Sequence, residues 1–470
     1  MPISVPRLVI AAAQSGAGKT TVATGLMAAL ARRGLSVQPY KVGPDYIDPT
    51  YHTAAAGRIS RNLDGWMLDQ TTIRRLVAAS AQGADVALIE GVMGLFDGAG
   101  AVGEAGSTAE MAKWLAAPVL LVVDAGGLAR TGAALIQGLC GFDPDLRIAG
   151  VLFNNVGSEG HYRLLCESLR AYVPGVEPVG YLPERAAIRA PERHLGLVPT
   201  WERQQMDAYL ESLVGLIEAT VDLEAVLRLA QAASPLPAVP PRTLQPVPED
   251  ARVRIGLARD AAFHFYYEDG LDELRTLGAD LVLFSPLSDP VLPPDLDGLY
   301  LGGGFPEVHA QALAANASLR REIKAAVEQG MPVYAECGGL MYLSEAIVGL
   351  EGDQWPMVGA IPVKARMETR LQNFGYVIAE AQEETLLAAP GETVRGHEFH
   401  WSRVDPNPAD WPPAYRIRSR KGDVRWEGFC RPNLLASYVH IHFSANPRAA
   451  ERFLESVRAY RAIRQRESAG

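Results

Sequence analysis

One stretch near the start of the chain, residues 8–21 with the sequence LVIAAAQSGAGKTT, constrains the fold more than any other. Residues 8–13 are apolar and typical of a buried parallel strand, and residues 22–30 repeat apolar side chains at helical spacing. The turn between them is made of small and polar residues: Gly16, Ala17, Gly18, Lys19, Thr20 and Thr21. Its glycines let backbone N–H groups point at an anion, and the helix adds the positive end of its dipole. The stretch therefore predicts a phosphate-binding loop.

Two side chains of this loop favour a nucleotide over a simple anion. Lys19 can reach the β- and γ-phosphates of ATP, and the Thr20 hydroxyl can ligate Mg²⁺. The usual pattern G-x-x-x-x-G-K-[ST] is met except at its first position, where Ala13 stands. An ordinary glycine-rich turn is the alternative, but such a turn does not require Lys and Thr in this register. We expect ATP as a substrate and Mg²⁺ as its metal.

Composition narrows the class of protein. The chain has 470 residues, of which 48% are hydrophobic and 21% charged, and this suits an enzyme of two or three domains. Its net charge of −10 argues against binding to bulk nucleic acid or to an anionic membrane. No apolar run reaches membrane-spanning length, and no secretory signal is evident. The 4 cysteines form neither a zinc pattern nor a disulfide framework, so we expect a cytoplasmic protein.

Acidic residues follow two of the predicted strands. Residues 85–90 form an apolar strand that ends in Glu90, where phosphate-loop enzymes hold a metal-binding carboxylate. Residues 37–41 form another strand, and the loop predicted after it carries Asp48. Turn chemistry alone would also place an aspartate there. We predict that Thr20, Asp48 and Glu90 bind the metal.

Strands and helices continue to alternate beyond this point. Further apolar strands are predicted at residues 118–124, 147–154 and 176–181, with a helix between the first two. This alternation favours an open parallel sheet, whose ligands bind at the carboxyl edge of the strands. Asn154 ends one of these strands, where it is a candidate for binding the adenine edge; a turn residue is the alternative.

A proline-rich segment divides the chain. Residues 234–248, SPLPAVPPRTLQPVP, carry little charge and are typical of an extended linker. The sequence thus predicts four parts: an N-terminal domain at residues 1–233, the linker at 234–250, a C-terminal domain at 251–450 and a helical tail at 451–470.

The second half contains a candidate nucleophile. After a predicted strand at residues 332–336, Cys337 is followed by two glycines and a helical pattern, which is the form of a nucleophile elbow. A helix N-terminus favours the reactive thiolate. Gly303 and Gly304 follow the neighbouring strand and are candidates for an oxyanion donor. A buried structural cysteine at a glycine turn is the alternative.

A base for this thiol is found far downstream. Residues 436–443, ASYVHIHF, are predicted as one strand with His440 and His442 on the same face. A cysteine and a distant histidine that meet only in the fold are the expected form of a thiol nucleophile. A second polar cluster, residues 396–400 (GHEFH), has spacing that would suit metal ligands, but a third ligand is not evident and we do not expect a metal there.

Together these motifs resemble the cobyrinic acid a,c-diamide synthase family of cobalamin biosynthesis. The N-terminal half resembles its ATP-dependent amide ligase domain, akin to dethiobiotin synthetase, in AAAQSGAGKTT, KVGPDYIDPTYH, IEGVMGLFDG and GVLFNNV. The C-terminal half resembles its class I glutamine amidotransferase domain in YLGGGFPE, YAECGGLMYL, GHEFHWS and ASYVHIHF. The resemblance implies an α/β fold of two domains, an N-terminal P-loop NTPase-like parallel sheet and a C-terminal class I glutamine amidotransferase-like domain.

The resemblance also implies a reaction. Cys337 attacks the side-chain amide of L-glutamine, with His440 as base and then acid, and ammonia is released. At the N-terminal site ATP phosphorylates a substrate carboxylate while Lys19 and the bound Mg²⁺ stabilise charge, and ammonia then displaces the phosphate. The a and c carboxylates of a corrinoid tetrapyrrole are amidated in turn. We consider a homodimer as a candidate oligomeric state of the protein.

The carboxylates of such a substrate imply a locally basic site. The candidate residues are Lys41, His52, Arg58, Arg61, Arg189 and Arg193, with Asp45 positioning substrate. One departure from the family pattern concerns the base: His442 stands where the class I triad has its glutamate, so the third triad member is absent or replaced.

Three alternatives remain open at the level of sequence. The first is the same chemistry on hydrogenobyrinic acid or a nickel sirohydrochlorin. The second is an adenosylcobyric acid synthase, which would differ around KVGPDYIDP. The third is a partition-type ATPase with an inactive glutaminase-like module, which would not need the thiol of Cys337.

Overall fold

The computed structural model describes residues 4–184, 203–240, 247–405, 408, 410–419 and 422–469. The chain divides into two compact units, Met1–Pro241 and Arg242–Gly470. Arg189 and Arg193, two of the basic residues predicted to contact substrate, lie outside the described residues. Within the described ranges, no helix is both long enough and apolar enough to cross a membrane.

The N-terminal unit alternates strands with helices, as the apolar pattern predicts. Its strands are β1 Arg7–Ala12, β2 Val37–Val42, β3 Arg61–Leu63, β4 Val86–Glu90, β5 Val119–Asp124, β6 Ile148–Val156 and β7 Glu177–Pro183. Its helices are α1 Lys19–Arg32, α2 Asp48–Ala56, α3 Gln70–Ser80, α4 Thr108–Trp114, α5 Arg130–Phe142, α6 Glu159–Tyr172, α7 Arg203–Thr220 and α8 Leu223–Gln231.

These strands form one parallel sheet in the order β3-β2-β4-β1-β5-β6-β7. Strands β1 and β4 are buried at every position, as expected for a parallel sheet covered on both faces. Strand β1 lies between β4 and β5. The loop after β1 therefore lies beside Glu90 and Asp124, the last residues of its two neighbours, at the carboxyl edge of the sheet.

The segment after β2 is not the loop that the sequence predicts. Asp48 begins helix α2, and His52 lies four residues later in the same helix. Residues four apart share one side of a helix, so α2 presents both side chains in the same direction. The helix has only 9 residues and little apolar periodicity, and for this reason the sequence pattern does not reveal it.

The C-terminal unit contains the remaining elements. Its strands are β8 Val253–Ala258, β9 Phe263–Phe265, β10 Ala279–Phe284, β11 Gly298–Leu301, β12 Gly303–Gly304, β13 Val333–Glu336, β14 Ala346–Val348, β15 Gln354–Pro356, β16 Lys364–Met367, β17 Asn373–Ala381, β18 Thr393–His400, β19 Ser402–Val404, β20 Pro413–Ser419, β21 Val424–Arg431, β22 Leu434–Ser437 and β23 His440–Ile441. Its helices are α9 Glu268–Thr276, α10 Ala310–Ala315, α11 Ala317–Glu328, α12 Gly338–Leu343 and α13 Pro447–Ala469.

The main sheet of this unit is mixed. Its order is β10-β8-β11-β13-β22-β21-β20-β17-β18-β23. Pairing is parallel from β10 to β22 and antiparallel from β22 to β23. Cys337 directly follows β13, which lies between β11 and β22 in the parallel part. The candidate nucleophile is thus at the carboxyl edge, where open α/β sheets bind ligands.

The single strand predicted for residues 436–443 is wrong. Strand β22 pairs with β13 and β21, whereas β23 pairs with β18 at the other end of the sheet order. Between them the Tyr438 N–H donates to Glu427 Oε1 at 2.7 Å, and the Val439 N–H donates to Ser437 Oγ at 3.0 Å. Side-chain acceptors replace the ladder partners of the backbone at this point, and apolar alternation carries no signal of such a replacement.

The start of the predicted linker and the first part of the predicted tail are packed against the two units. The guanidinium of the fully buried Arg7 donates to the carbonyl oxygens of Leu115 and Ser234, which ties residue 234 to the N-terminal unit. At the other end, α13 begins before residue 451, and its Phe453 and Val457 are fully buried in the core of the C-terminal unit.

Candidate active sites

The phosphate loop is shaped by two glycines with left-handed backbone. Gly16 has a φ of 78° and Gly18 a φ of 95°, a region that other residues rarely adopt. Gly18 also precedes the first turn of α1, and a Cβ atom there would lie 2.2 Å from Nδ2 of Asn154. Position 18 therefore requires glycine for its conformation and for its close approach to a neighbour.

Asn154 holds this loop from the neighbouring strand β6. Its Nδ2 donates to the carbonyl oxygen of Ala17 at 2.9 Å. The structure thus gives Asn154 a contact that positions the loop, and adenine binding by this residue stays a prediction.

Lys19 is held over the same loop. Its side chain is buried, and Nζ donates to the carbonyl oxygens of Gln14, at 3.3 Å, and Met93. Burial and the neighbouring Lys41 cation lower the pKa of Lys19. A lysine that donates to backbone oxygens at the start of a helix is well placed to bind phosphate oxygens.

The three side chains predicted to bind metal converge. The Thr20 hydroxyl donates to Glu90 Oε1 at 2.8 Å and lies 3.3 Å from Asp48 Oδ2. They come from the start of α1, the end of β4 and the start of α2, three elements that meet at the carboxyl edge of the sheet. Hydroxyl and carboxylate oxygens are the ligands that Mg²⁺ prefers, and one or two carboxylates suffice for it. These residues therefore fit the predicted ion.

A buried cation and a histidine contact the same carboxylates. Nζ of Lys41 lies 2.8 Å from Asp48 Oδ2 and 2.9 Å from Glu90 Oε1. Nε2 of His52 lies 2.6 Å from Glu90 Oε2. The sequence suggested Lys41 and His52 as contacts of a carboxylate-rich substrate, but the structure places both against carboxylates of the protein itself.

Attraction within this cluster outweighs the cost of burial. Burial alone would lower the pKa of Lys41, but the carboxylates of Asp48 and Glu90 raise it above its usual value. Burial alone would raise the pKa of Glu90, but Lys41 and His52 lower it. Lys41 is therefore a cation and Glu90 an anion at neutral pH, and removal of either charge leaves the other buried and less well paired.

Arg58 has protein partners at the opposite edge of the sheet. Its guanidinium donates to side-chain oxygens of Gln38 and Ser36 and to the carbonyl oxygens of Ser80 and Gln82. Ser36 precedes the first residue of β2, so this is the amino end of the strands. The contacts argue against Arg58 as a substrate ligand.

Cys337 occupies a strained turn between β13 and α12. Its backbone angles are φ 46° and ψ −98°, which a residue other than glycine seldom adopts. The Cys337 N–H donates to the Ser437 carbonyl oxygen at 2.7 Å, and the Met341 N–H donates to the Cys337 carbonyl oxygen at 3.1 Å. Only 6% of Cys337 is exposed. A sharp strand-to-helix turn of this kind presents a nucleophile at the sheet edge.

The structure brings His440 to this cysteine. The imidazole interacts with the Cys337 side chain, and its Nδ1 lies 3.6 Å from Glu336 Oε2. Burial would lower the pKa of His440, but Cys337 and Glu336 raise it to about 10. The imidazole of His440 is therefore protonated at neutral pH, which suits a group that holds and returns a proton beside a nucleophile.

His442 has different neighbours from His440. It is fully buried, and its ring stacks on that of Tyr267 with centroids 4.8 Å apart. Its Nδ1 accepts the Ser444 N–H at 3.2 Å, and burial lowers the pKa of His442 to about 3. His442 is therefore a neutral packing residue at neutral pH.

Glycine backbone borders the nucleophile on the side of β12. A Cβ atom at Gly303 would lie 2.4 Å from Cε1 of His440, and a Cβ atom at Gly338 would lie 3.0 Å from the Gly304 nitrogen. The peptide units after β11 and after Cys337 are thus in close contact. Backbone N–H groups gathered beside a nucleophile are suited to hold an oxyanion.

The polar cluster at residues 396–400 has protein partners of its own. Glu398 forms an ion pair with Arg425, and the ring of His400 stacks on Tyr438 with centroids 3.7 Å apart. Among all residues that the structure describes, no group of three or more His, Cys, Asp or Glu side chains is arranged to hold a metal ion.

Sequence reasoning gave no role to Glu336. The signal was present, because this acid lies directly before the candidate nucleophile on an otherwise apolar strand. A buried acid requires a partner, but the pattern could not say that His440 and two tyrosines would supply it.

The two halves of the chain match two family models. Residues 8–198 match the CobQ/CobB/MinD/ParA nucleotide binding domain. Residues 254–448 match the CobB/CobQ-like glutamine amidotransferase domain. The first match contains the phosphate loop and the second contains Cys337 and His440.

Relatives of nearly full length carry one common name. The chain is 46% identical over 442 residues to the cobyrinate a,c-diamide synthase of Listeria monocytogenes serotype 4b (strain F2365), covering 94% of this chain and 97% of the relative. It is 43% identical over 455 residues to that of Priestia megaterium, covering 96% and 97%. It is 45% identical over 461 residues to that of Syntrophotalea carbinolica (strain DSM 2380 / NBRC 103641 / GraBd1), covering 97% and 99%.

Proposed function

The chain belongs to the cobyrinate a,c-diamide synthase family, and from this membership we propose that it amidates the a and c side-chain carboxylates of cobyrinic acid. It is an ATP-dependent carbon–nitrogen ligase that uses glutamine as amido donor. The observation that carries the proposal is that one chain holds two equipped sites, a phosphate loop with paired carboxylates and a strained cysteine with a buried histidine.

The glutamine half of the reaction uses the C-terminal domain. The Cys337 thiolate attacks the side-chain carbonyl carbon of glutamine while His440 holds the thiol proton. The carbonyl oxygen becomes an oxyanion that the backbone N–H groups of Gly304 and Gly338 stabilise. His440 then donates its proton to the departing nitrogen, and ammonia leaves. Water hydrolyses the remaining thioester to glutamate.

The ligase half uses the N-terminal domain. A carboxylate oxygen of the tetrapyrrole attacks the γ-phosphorus of ATP, which yields an acyl phosphate and ADP. Ammonia then attacks the acyl carbon, phosphate leaves and the amide forms. Lys19 and the loop N–H groups hold the phosphate oxygens as charge shifts among them. The role of Lys41 is to keep the carboxylates of Asp48 and Glu90 ionised and in position.

The ligase half also needs a metal ion in this proposal. Thr20, Asp48 and Glu90 would hold Mg²⁺. When bound, the ion supplies positive charge that the phosphate oxygens of ATP require. The convergence of the Thr20 hydroxyl on both carboxylates supports this assignment.

The proposal is tested by supplying each tetrapyrrole separately. Purified protein is incubated with ATP, Mg²⁺ and glutamine and with cobyrinic acid, hydrogenobyrinic acid or nickel sirohydrochlorin, and mass spectrometry counts the amides formed. We expect cobyrinic acid to gain two amides, with one ADP and one glutamate released for each. Preferential amidation of another tetrapyrrole would reassign the substrate, and glutamine turnover without amide on any of them would reject the proposed reaction.

His440 and His442 are expected to differ sharply in their effect on glutamine use. His440→Ala removes the group that holds the thiol proton, so glutamate release should fall by ~10²–10⁴-fold, the scale of a lost general base. His442→Ala removes a neutral ring stacked on Tyr267. It should lower the thermal unfolding midpoint, and its loss of glutamate release should be smaller than that of His440→Ala. The check is glutamate release and unfolding temperature for both variants, and a larger rate loss in His442→Ala would contradict the assignment.

A further inference from the structure

We propose that Glu336, the residue directly before Cys337, is the positioning carboxylate of His440 and thus the third member of the glutaminase site. The inference rests on the proposed roles of Cys337 and His440 and adds a residue to them. The position two residues after His440 is filled by His442, whose neutral ring packs on Tyr267 and cannot supply a carboxylate.

Three donors fix the carboxylate of Glu336. The Tyr300 hydroxyl donates to Oε2 at 3.0 Å, while the Tyr334 hydroxyl and the Ile441 N–H, the latter at 3.0 Å, donate to Oε1. Glu336 is 1% exposed, so these donors replace water around it. Burial and the Glu336 charge raise the pKa of both tyrosines well above its usual value, so the hydroxyls remain donors at any working pH.

The same carboxylate controls where the base lies. Oε2 of Glu336 lies 3.6 Å from Nδ1 of His440, and Oε1 accepts the N–H of the next residue, Ile441. Glu336 ends β13 and His440 begins β23, two strands that are not neighbours in the sheet. The side chain therefore contacts both the imidazole and the backbone that carries it, directly beside the nucleophile.

This placement has a chemical consequence for the imidazole. A carboxylate at Nδ1 favours the tautomer with hydrogen on Nδ1, which leaves Nε2 to accept the thiol proton. It also stabilises the imidazolium that results. Glu336 touches neither substrate nor the reacting atoms in this scheme, so its role is to orient His440 and to hold its charge.

The other ionisable groups around His440 do not compete for this role. Among the residues that the structure describes, His397, Glu398 and His400 interact with His440, all from the adjacent strand β18. Burial lowers the pKa of His397 and of His400 to about 3, so both are neutral. Glu398 is already paired with Arg425.

The test compares Glu336→Gln with Glu336→Asp in the full chain. Glu336→Gln keeps the size of the side chain but removes its charge and turns one acceptor oxygen into an amide donor, so kcat for glutamate release should fall by ~10²-fold or more with KM for glutamine unchanged. The alkaline limb of kcat should move from near the His440 pKa of about 10 toward the ordinary histidine value. Glu336→Asp restores the charge and should recover part of kcat and of the alkaline limb.

Asp297→Asn is the matched control for loss of a buried carboxylate. Asp297 is 2% exposed, accepts the Arg254 N–H at 2.9 Å and pairs with Arg464, at the amino end of the same parallel strands. It should lower the unfolding midpoint and leave kcat and its pH profile unchanged. An unchanged alkaline limb in Glu336→Gln, or equal kcat losses in both variants, would overturn the positioning role.

A measurement on the unmutated chain covers the case in which Glu336→Gln does not fold. Nitrogen NMR of histidine-labelled protein reports the protonation of each imidazole, and the His440→Gln spectrum identifies the signal of His440. We expect His440 to be doubly protonated above neutral pH, and a neutral His440 at neutral pH would overturn the proposal. Retained glutamine use in Cys337→Ala would instead reject the proposed function, whatever Glu336 does.

Discussion

Replacement of Cys337 by alanine is expected to abolish glutamine-dependent amidation while amidation with ammonium salts continues. In the proposed mechanism the thiol sulfur bonds to the glutamine carbonyl carbon, and loss of a nucleophile of this kind costs on the order of 10⁶ in turnover. The proposed ligase site lies in the nucleotide-binding domain and not in the amidotransferase domain that contains Cys337. Its nitrogen donor is ammonia, which ammonium salts can supply. The measurement is amide formation with each nitrogen donor, together with glutamate release.

A second cysteine of the same domain provides the control. Cys430 is 3% exposed, and its sulfur lies 3.9 Å from the Pro412 carbonyl oxygen, so Cys430→Ala removes a buried thiol without touching the Cys337 turn. Cys430→Ala should keep glutamine use. If Cys337→Ala also kept it, the assignment of Cys337 would be wrong.

Glu90→Gln is expected to stop amide formation while glutamine hydrolysis continues, the reverse of Cys337→Ala. Amide formation should fall by ~10³–10⁵-fold with glutamine and with ammonia alike, the scale of a lost charged group at a phosphoryl-transfer site. The variant keeps the shape of Glu90 but removes the negative charge of the carboxylate that contacts Thr20, Lys41 and His52. Lys41 then loses one of its two ion-pair partners and keeps Asp48, and the proposed metal loses a carboxylate. Glutamate release without ATP should be unchanged.

Two observations make this result specific to Glu90. Glu110→Gln alters another buried carboxylate of the same unit, one that accepts the Gly106 N–H, and should leave amide formation near the wild-type rate. Wild-type amide formation from ammonia by Glu90→Gln at limiting Mg²⁺ would reject the metal assignment.

Apolar runs predicted the architecture of the N-terminal unit well. The strands predicted at residues 37–41 and 85–90 correspond to β2 and β4 with bounds shifted by one residue. A strand buried on both faces is apolar along its whole length, and this leaves a clear sequence signal. Helix α2 left none, because two of its four buried residues, Asp48 and His52, are polar.

The residues of the two sites were predicted with unequal completeness. Lys19, Thr20 and Cys337 lie in local motifs, where adjacent residues in the sequence are adjacent in space. Lys41 contacts Glu90 and Glu336 contacts His440, partners far along the chain that depend on strand order. The break between β22 and β23 depends on Glu427, a distant side chain, and it changed the environment of His442 from the predicted one.

The backbone of Cys337 shows a conflict between folding and chemistry. With φ at 46°, this position would be adopted more readily by glycine, and a residue with a side chain costs of order 1–3 kcal/mol there. Selection for stability alone would therefore remove a cysteine from position 337. The proposed nucleophilic role of Cys337 would explain why a cysteine stands in this turn, and the surrounding core, in which Leu340 and Ala335 are fully buried, must supply the stability that the turn lacks.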